Sequence, residues 1–230
     1  MSGQDGSTKE DPKRESYLDS SGRYWRIPKW FPELQSDLQS RLRDFHAELI
    51  HFNGRMNLIS PRTEKDADLI HIADGILGAR AIFSMTNKRE IYDFGAGNGM
   101  PGIVMALLDP SRSIIMVDKD ARKVEFIKHC SARLKITNCT ALHTRVEEMP
   151  AESVHCAVSR GLASIAKSLI MIRRVAAIDC EYFHFKGESW STEVAGIPSQ
   201  VLAHWELADV ADYNLPEEGA KHSIVQTKRL

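Results

Sequence analysis

The stretch YDFGAGNGMPG, residues 92–102, decides how this chain of 230 residues is interpreted. It overlaps a short apolar run, EIYDF at 90–94, which predicts a strand, and it leads into GIVMALLD at 102–109, which predicts a helix. Glycines at such a turn let a ligand approach the backbone, and the N-terminus of the following helix carries partial positive charge. We therefore expect a ligand on these glycines.

Two classes of ligand fit the spacing of this turn. Gly97, Gly99 and Gly102 spell G-x-G-x-x-G, the pattern of dinucleotide binding. Asp93, with Gly95, Gly97 and Gly99, spells D-x-G-x-G-x-G, a pattern of S-adenosylmethionine (SAM) binding. The carboxylate of Asp93 would repel a pyrophosphate, but it favours the positively charged end of SAM.

Residues farther along the chain add to this comparison. Asp118 ends the next predicted strand, where an acid suits the ribose of either ligand. Val146 and Glu147, after the third predicted strand, are placed to flank an adenine. The residues together favour SAM, and a nicotinamide cofactor remains the alternative.

The order of the apolar segments predicts an α/β fold. Strands are expected at 90–94, 113–118, 139–144, 154–159 and 181–186. Helices are expected at 102–109, 121–134 and 162–178. This alternation predicts a mostly parallel sheet with right-handed crossovers. Two further strands, at 201–210 and 222–230, are expected to form an antiparallel hairpin at the edge of the sheet, with a loop from Asn214 to Gly219.

The region before the first strand is predicted to be helical. One helix is expected from Pro32 to about Gly54, because Leu38, Leu42, Phe45, Leu49 and Phe52 repeat at helical spacing. A second helix is expected at 66–83. We divide the chain into a flexible tail at 1–22, an arm with helices at 23–85, and a ligand-binding domain at 86–230.

Composition argues against several classes of function. The net charge is −1, so the chain has no global polybasic signal, and it has no run of 18 apolar residues. The polar N-terminus lacks the apolar segment of a secretory signal. The four cysteines form no C-x-x-C pair, and no H-E-x-x-H occurs. We expect a cytoplasmic protein with reduced thiols, no metal and no membrane attachment.

Seven segments of the chain resemble a known family in order. They are NGRMNLIS (53–60), LIHIADGI (69–76), DFGAGNGMPGI (93–103), VDKDARKVEFI (117–127), RVEEMP (145–150), SRGLAS (159–164) and FKG (185–187). From about residue 45 onward the chain resembles the glucose-inhibited division protein B family, which methylates N7 of a guanine in 16S small-subunit ribosomal RNA. The resemblance implies a class I SAM-dependent methyltransferase fold, with a Rossmann-like seven-stranded sheet whose last strand is antiparallel, and an N-terminal helical extension.

The resemblance also implies roles for single residues. Gly95 and Met100 would line the SAM site, Asp118 would hold the ribose, and Val146 and Glu147 would contact the adenine. Arg160 would lie at the mouth of the active site, contacting cofactor or RNA. With the residues of the turn, the predicted cofactor set is Asp93, Gly95, Gly97, Gly99, Met100, Asp118, Val146, Glu147 and Arg160.

Guanine N7 has a lone pair and no proton, so this chemistry needs no general base, and Arg160 is the one catalytic candidate. Residues 112–145 carry eight basic and three acidic residues, which indicates local phosphate contact. The predicted RNA-contacting residues are Arg62, His71, Arg122, Lys123 and Lys186. The aromatic and basic arm YWRIPKWF, 24–31, either packs on the domain or touches RNA, and we expect packing.

The implied substrate is 16S ribosomal RNA in the small ribosomal subunit, and we expect a monomer. Two other functions remain open. A nicotinamide-dependent oxidoreductase would use the G-x-G-x-x-G pattern and bind NAD. A ribosome-assembly module without catalysis would keep the fold for RNA binding alone, but it has no need of Asp118 and Glu147.

Overall fold

The computed structural model describes residues 17–18, 22–217 and 221–230. Most of the predicted tail, and Gly219 of the predicted loop, therefore lie outside the described residues. The strands are β1 (Glu90–Phe94), β2 (Ser113–Asp118), β3 (Cys139–His143), β4 (Val154–Arg160), β5 (Ala176–Gly187), β6 (Trp205–Asn214) and β7 (Lys221–Arg229). The α-helices are α1 (Ile27–Trp30), α2 (Ser36–Met56), α3 (Asp74–Met85), α4 (Gly102–Leu108), α5 (Ala121–Arg133), α6 (Ile165–Ile172), α7 (Trp190–Ala195) and α8 (Ser199–Leu202).

These strands form one seven-stranded sheet in the order β3-β2-β1-β4-β5-β7-β6. Strands β1 to β5 are parallel to one another, and β7 runs antiparallel to both β5 and β6. The prediction of a mixed sheet whose last strand is antiparallel is confirmed. The predicted antiparallel hairpin at the edge of the sheet is also confirmed: β6 pairs with β7, β7 pairs with β5, and β6 is the outermost strand on that side.

Two boundaries in the second half of the chain differ from the prediction. The expected helix at 162–178 ends at Ile172, and Val175, Ala176 and Ala177 are buried beside the strand residue Val154. A continuous apolar run does not distinguish a helix from a buried strand, so the pattern hid this junction. The strand expected at 201–210 begins only at Trp205, because 199–202 forms α8.

Helices cover both faces of the sheet. On one face, α2 to α5 share a hydrophobic core with strand residues such as Ile91 and Met116. On the other face, α6 packs through Ile165 and Leu169 on Phe94 and Tyr182. The segment 23–85 thus shares its core with the sheet that carries the glycine turn.

The N-terminal helices follow the predicted apolar pattern with one exception. In α2 the predicted residues Leu42, Phe45 and Leu49 are buried. The second expected helix, 66–83, is instead divided into a π-helical turn, Asp68–Ala73, and α3. Wider backbone turns of this kind are frequently found at functional sites.

The arm at 24–31 packs against the rest of the fold, as expected. Tyr24, Ile27 and Phe31 are buried, and so is the side chain of Arg26. Within the described part of the chain, no helix is both long and apolar enough to cross a membrane.

Candidate active site

The glycine turn joins β1 to α4 and requires glycine on steric grounds. Gly95 has φ +70° and Gly99 has φ +83°, both in the left-handed region. A Cβ on Gly95 would lie 2.7 Å from Cδ1 of Leu162, and one on Gly99 would lie 2.8 Å from Cδ1 of Ile103. The turn therefore keeps its backbone close to its neighbours, and a side chain at either position would displace them.

Asp93 lies beneath this turn and is fully buried. Its Oδ2 accepts a hydrogen bond of 2.9 Å from the backbone N of Gly102, the first residue of α4. Burial raises the pKa of this carboxyl to about 7, with a further contribution from the charge of Asp118. Its Oδ1 has no hydrogen-bond partner among the described residues. Asp93 thus anchors the start of α4 from behind the turn.

Asp118, at the end of β2, joins the turn to the next strand. Its Oδ2 accepts a hydrogen bond from the backbone N of Gly97, and its Oδ1 accepts one from the backbone N of Asp120, each at 2.8 Å. A carboxylate oxygen has two lone pairs, so each oxygen of Asp118 can accept one more hydrogen bond. The side chain is therefore held rigidly and keeps the capacity to bind two hydroxyl groups.

Asp118 forms part of the wall of a cavity of about 330 Å³. Four residues of the predicted cofactor set lie in this wall, namely Gly95, Asp118, Val146 and Glu147. The other lining residues are Val117, Lys119, Lys123, Thr144, Arg145, Gly161, Leu162 and Met171. Cavities of this size hold small-molecule ligands. The apolar side chains of Val146, Leu162 and Met171 suit a flat ring, and Asp118 suits a ribose, so the residues present fit an adenosyl group.

Several placements differ from the sequence-based assignment. Asp93, Gly97, Gly99 and Met100 shape the turn and do not line the cavity. Lys123, predicted to contact RNA, lines the cavity, and its Nζ lies 3.9 Å from the position of a Cβ on Gly97. Seven lining residues were not predicted as site residues, namely Val117, Lys119, Thr144, Arg145, Gly161, Leu162 and Met171. The position of Thr144 just after β3 was a usable signal, because ligands bind at the carboxyl ends of parallel strands.

Arg160, the last residue of β4, faces the N-terminal helices. Its Nη2 donates hydrogen bonds of 2.9 Å to the backbone O of Ile70 and to Nδ1 of His71. Its Nε forms an ion pair of 3.1 Å with Oδ2 of Asp74. Its Nη1 is buried and has no hydrogen-bond partner in the described part of the chain. Two predicted site residues, Arg160 and His71, are thus in direct contact.

The contact with Arg160 fixes the protonation state of His71. Since Nδ1 of His71 accepts a hydrogen bond from Arg160, the ring proton belongs on Nε2, which lies 3.2 Å from Oγ1 of Thr63. Burial, together with the positive charge of Arg160, lowers the pKa of His71 to about 3. The imidazole is therefore neutral at physiological pH.

Asp74 completes this cluster and was not predicted as a site residue. Its Oδ1 accepts a hydrogen bond of 2.7 Å from the hydroxyl of Tyr213 and lies 3.3 Å from Nδ1 of His222. Burial opposes ionisation, yet the guanidinium of Arg160 and these two donors hold the pKa of Asp74 below its usual value. Tyr213 and His222 face each other across β6 and β7, a pairing that exists only once the sheet is formed.

The remaining predicted RNA-contacting residues lie in different surroundings. Lys186 is mostly buried, and its Nζ binds Oε2 of Glu193 at 2.8 Å and the backbone O of Ala163 at 3.1 Å. Arg122 is 74% exposed and pairs with Asp120. Arg62 is exposed in a short 3₁₀ turn, Pro61–Thr63. Among the described residues, no group of three or more His, Cys, Asp or Glu side chains is arranged to hold a metal ion.

Two solved structures that share this architecture are methyltransferases. A SAM dependent methyltransferase from Aquifex aeolicus has a TM-score of 0.55 at 14% identity, over 74% of this chain and 98% of that chain. The tRNA (m1A58) methyltransferase of Aquifex aeolicus has a TM-score of 0.53 at 11% identity, over 71% of this chain and 70% of that chain. With the strand order, these matches confirm the predicted class I methyltransferase fold.

Sequence relatives give the family. The ribosomal RNA small subunit methyltransferase G 3 of Bdellovibrio bacteriovorus is 41% identical over 208 residues, which are 90% of this chain and 94% of that protein. The ribosomal RNA small subunit methyltransferase G of Chromohalobacter salexigens is 28% identical over 197 residues, 86% and 91% of the two chains. The family model of GidB, rRNA small subunit methyltransferase G, matches residues 38–221. These matches confirm the predicted resemblance, and the chain belongs to the GidB, or rRNA small subunit methyltransferase G, family.

Proposed function

We propose that this chain transfers the methyl group of SAM to N7 of a guanine in the RNA of the small ribosomal subunit. The observation that carries the proposal is the cavity beside the glycine turn, where Asp118 keeps free lone pairs next to apolar side chains. Membership of a family of small-subunit ribosomal RNA methyltransferases supports the substrate class. Membership of this family also leaves the alternative function, a nicotinamide-dependent oxidoreductase, without support.

We assign the cofactor contacts to the residues that line the cavity. Asp118 would bind the ribose hydroxyls, and Val146 and Leu162 would flank the adenine. Lys123 would provide a cation for the carboxylate of SAM, because its Nζ lies beside the glycine turn. Bound SAM supplies an electrophilic methyl group, and the protein has to hold that group in line with the attacking base.

The side chains around Arg160 support methyl transfer without a general base. His71 is neutral, and its Nδ1 lone pair is already used by Arg160. The carboxylate of Asp74 is held by Arg160, Tyr213 and His222. Neither group is available to remove a proton, and N7 of guanine carries none. The cluster is suited to fixing Arg160, which lies next to the loop at Gly161 and Leu162 that lines the cavity.

We assign RNA contact to the exposed cations Arg62 and Arg122 and to the cluster of His71 and Arg160. Lys186 instead positions the loop after β4, because Ala163 and Glu193 bind its ammonium group. The substrate is located in the cytoplasm, so we propose that the enzyme acts there, as a monomer. A sedimentation mass near 25.9 kDa would support the monomer, and a mass twice as large would contradict it.

The proposal is tested by labelling small ribosomal subunits that lack the modification. The purified protein is incubated with SAM carrying a labelled methyl group and with subunits or naked small-subunit RNA, and the RNA is digested and analysed by mass spectrometry. We expect labelled 7-methylguanosine. Label in another nucleoside would overturn the proposed reaction. SAM binding without any labelled RNA would favour the RNA-binding module, and NAD binding without SAM binding would favour the oxidoreductase.

A variant of Asp118 tests the cofactor site separately. In Asp118→Asn one oxygen becomes an NH₂ group, which cannot accept hydrogen bonds from Gly97 or Asp120 and does not bind the ribose as an acceptor. We expect SAM affinity, measured by calorimetry, to fall at least about tenfold. The matched control is Asp109→Asn, which changes an acid that lies outside the cavity. Unchanged affinity in Asp118→Asn would place the ribose elsewhere.

A further inference from the structure

Arg26, in the N-terminal arm, forms an ion pair that is sealed from solvent. The side chains of Arg26 and Asp68 are 1% and 0% exposed. Nε and Nη2 of Arg26 donate to Oδ2 and Oδ1 of Asp68 at 3.1 and 2.7 Å, and the backbone N of Arg26 donates to Oδ2 at 2.6 Å. Three hydrogen bonds to one carboxylate, two of them from a planar fork, fix both its position and its orientation.

Asp68 is the first residue of the π-helical turn that holds Arg160. Two and three residues later in the same turn, the backbone O of Ile70 and Nδ1 of His71 accept the two hydrogen bonds from Nη2 of Arg160. The turn then continues into α3, whose first residue, Asp74, pairs with Nε of Arg160. The carboxylate that Arg26 fixes is therefore attached to the backbone that orients Arg160.

The arm has a second attachment, to the segment after β6. Nη1 of Arg26, Nζ of Lys29 and Nε1 of Trp30 lie 3.4, 2.9 and 3.2 Å from the carboxylate of Glu217. Strand β6 carries Tyr213, which donates to Asp74. The arm thus contacts both the turn that supplies the partners of Arg160 and the segment that follows Tyr213, a hydrogen-bond partner of Asp74.

We propose that Arg26 is a positioning residue for methyl transfer, which acts through Asp68 and the π-helical turn on the orientation of Arg160; this rests on the proposed function. Stability alone is a weak reason for such a pair, because apolar residues often replace buried ion pairs without loss of stability. The arm lies before residue 38, where the match to the family model begins.

The test uses two variants of Arg26 in the full chain. Arg26→Lys keeps the positive charge and removes the planar pair of donors, Nε and Nη2, that binds Asp68. Arg26→Met/Asp68→Asn removes both charges of the pair, so neither residue is left as an unpaired buried ion. The control is Arg23→Gln, at the residue just before the arm, which breaks the partly exposed pair with Glu64 and leaves Asp68 untouched. We expect SAM affinity to stay within about twofold of the parent in all three proteins, because no arm residue lines the cavity.

We expect kcat on small subunits to fall about tenfold or more in both Arg26 variants and to stay within about twofold in Arg23→Gln, since small displacements of an oriented group lower the rate strongly. The second readout is NMR of the His71 ring. Once the turn is released from Arg160, its titration midpoint should rise above about 3, because the positive charge of Arg160 contributes to the lowered pKa alongside burial. This shift does not depend on activity.

The outcomes separate the inference from the proposed function. A parent protein that labels no guanine in small-subunit RNA contradicts the proposed function. A parent that is active, with folded Arg26 variants that keep its kcat and its His71 titration, overturns the positioning role. Loss of kcat together with the shift of His71 supports the role, whereas loss of kcat with an unchanged His71 titration also overturns it.

Discussion

Two carboxylates at the ends of neighbouring strands show how burial decides the role of a residue. Asp93 lies one residue before the end of β1, Asp118 ends β2, and both were predicted to bind the cofactor. Asp118 lines the cavity, and backbone N–H groups occupy only one lone pair of each of its oxygens. Asp93 is sealed beneath the turn and holds the start of α4. Sequence predicts the acid at each strand end, but not which side of the turn each side chain faces.

Replacing Asp93 should change how stability depends on pH. The pKa of Asp93 is raised from an ordinary 3.8 to about 7, so between these values the folded state binds a proton that the unfolded state does not. Its contribution is therefore complete below about pH 4 and is lost as the pH rises through about 7, at up to about 1.4 kcal/mol per pH unit. Asp93→Asn keeps an acceptor for Gly102 and cannot ionise. The free energy of unfolding, measured by denaturation between pH 5 and 8, should rise in the variant relative to the parent as the pH increases. If the free energies of the two proteins change in parallel with pH, the pKa of Asp93 is not raised by burial.

At the scale of elements, the segment after β4 shows where periodicity misleads. The sequence predicted one helix at 162–178 and assigned Lys186 to RNA. In the structure α6 begins at Ile165, whose backbone N donates to Oε2 of Glu193, and the same carboxylate binds Lys186. Glu193 lies on α7, a short helix that no sequence pattern indicated. One acid thus holds the start of α6 and the end of β5 together, which a pattern of apolar spacing cannot reveal.

A double-mutant cycle distinguishes a structural Lys186 from one that binds RNA. Lys186→Met should lower the free energy of unfolding by about 1 to 2 kcal/mol. In a protein that already carries Glu193→Gln, the same substitution should cost about 1 kcal/mol less, because Glu193, the ion-pair partner of Lys186, has already lost its charge. Denaturation of the four proteins measures the coupling. Additive losses, with a higher KM for RNA in both Lys186 variants, would return Lys186 to the RNA contacts.

At the scale of the molecule, strand order decides which residues meet. Alternating strands and helices predicted the parallel part of the sheet, from β1 to β5. Whether β6 or β7 pairs with β5 depends on packing, and the hairpin pattern fits either order. Because β7 lies inside, Tyr213 and His222 face each other and reach Asp74. The position of the cavity beside the glycine turn was therefore predictable from local motifs, whereas the Arg160 cluster depends on contacts between distant segments.

The distribution of charge predicts that RNA binds at a local basic surface near Arg122. The net charge is −1, so attraction to RNA must come from a local basic surface. Arg122 lies in the first turn of α5, at the same edge of the sheet as the cavity, and is 74% exposed. We expect Arg122→Gln to weaken RNA binding and to lower the slope of log K against log salt concentration by about one, as for the loss of one phosphate contact.

Arg133 provides the matched control for this measurement. It is a second exposed arginine on α5, paired with Glu48, and lies about 16 Å farther along the helix from the edge that carries the cavity. Arg133→Gln removes the same charge from the molecule, so a net-charge effect would alter both slopes equally. A phosphate contact at the cavity edge alters only the slope of Arg122→Gln. Equal slopes in the two variants would mean that RNA approaches a different face of the protein.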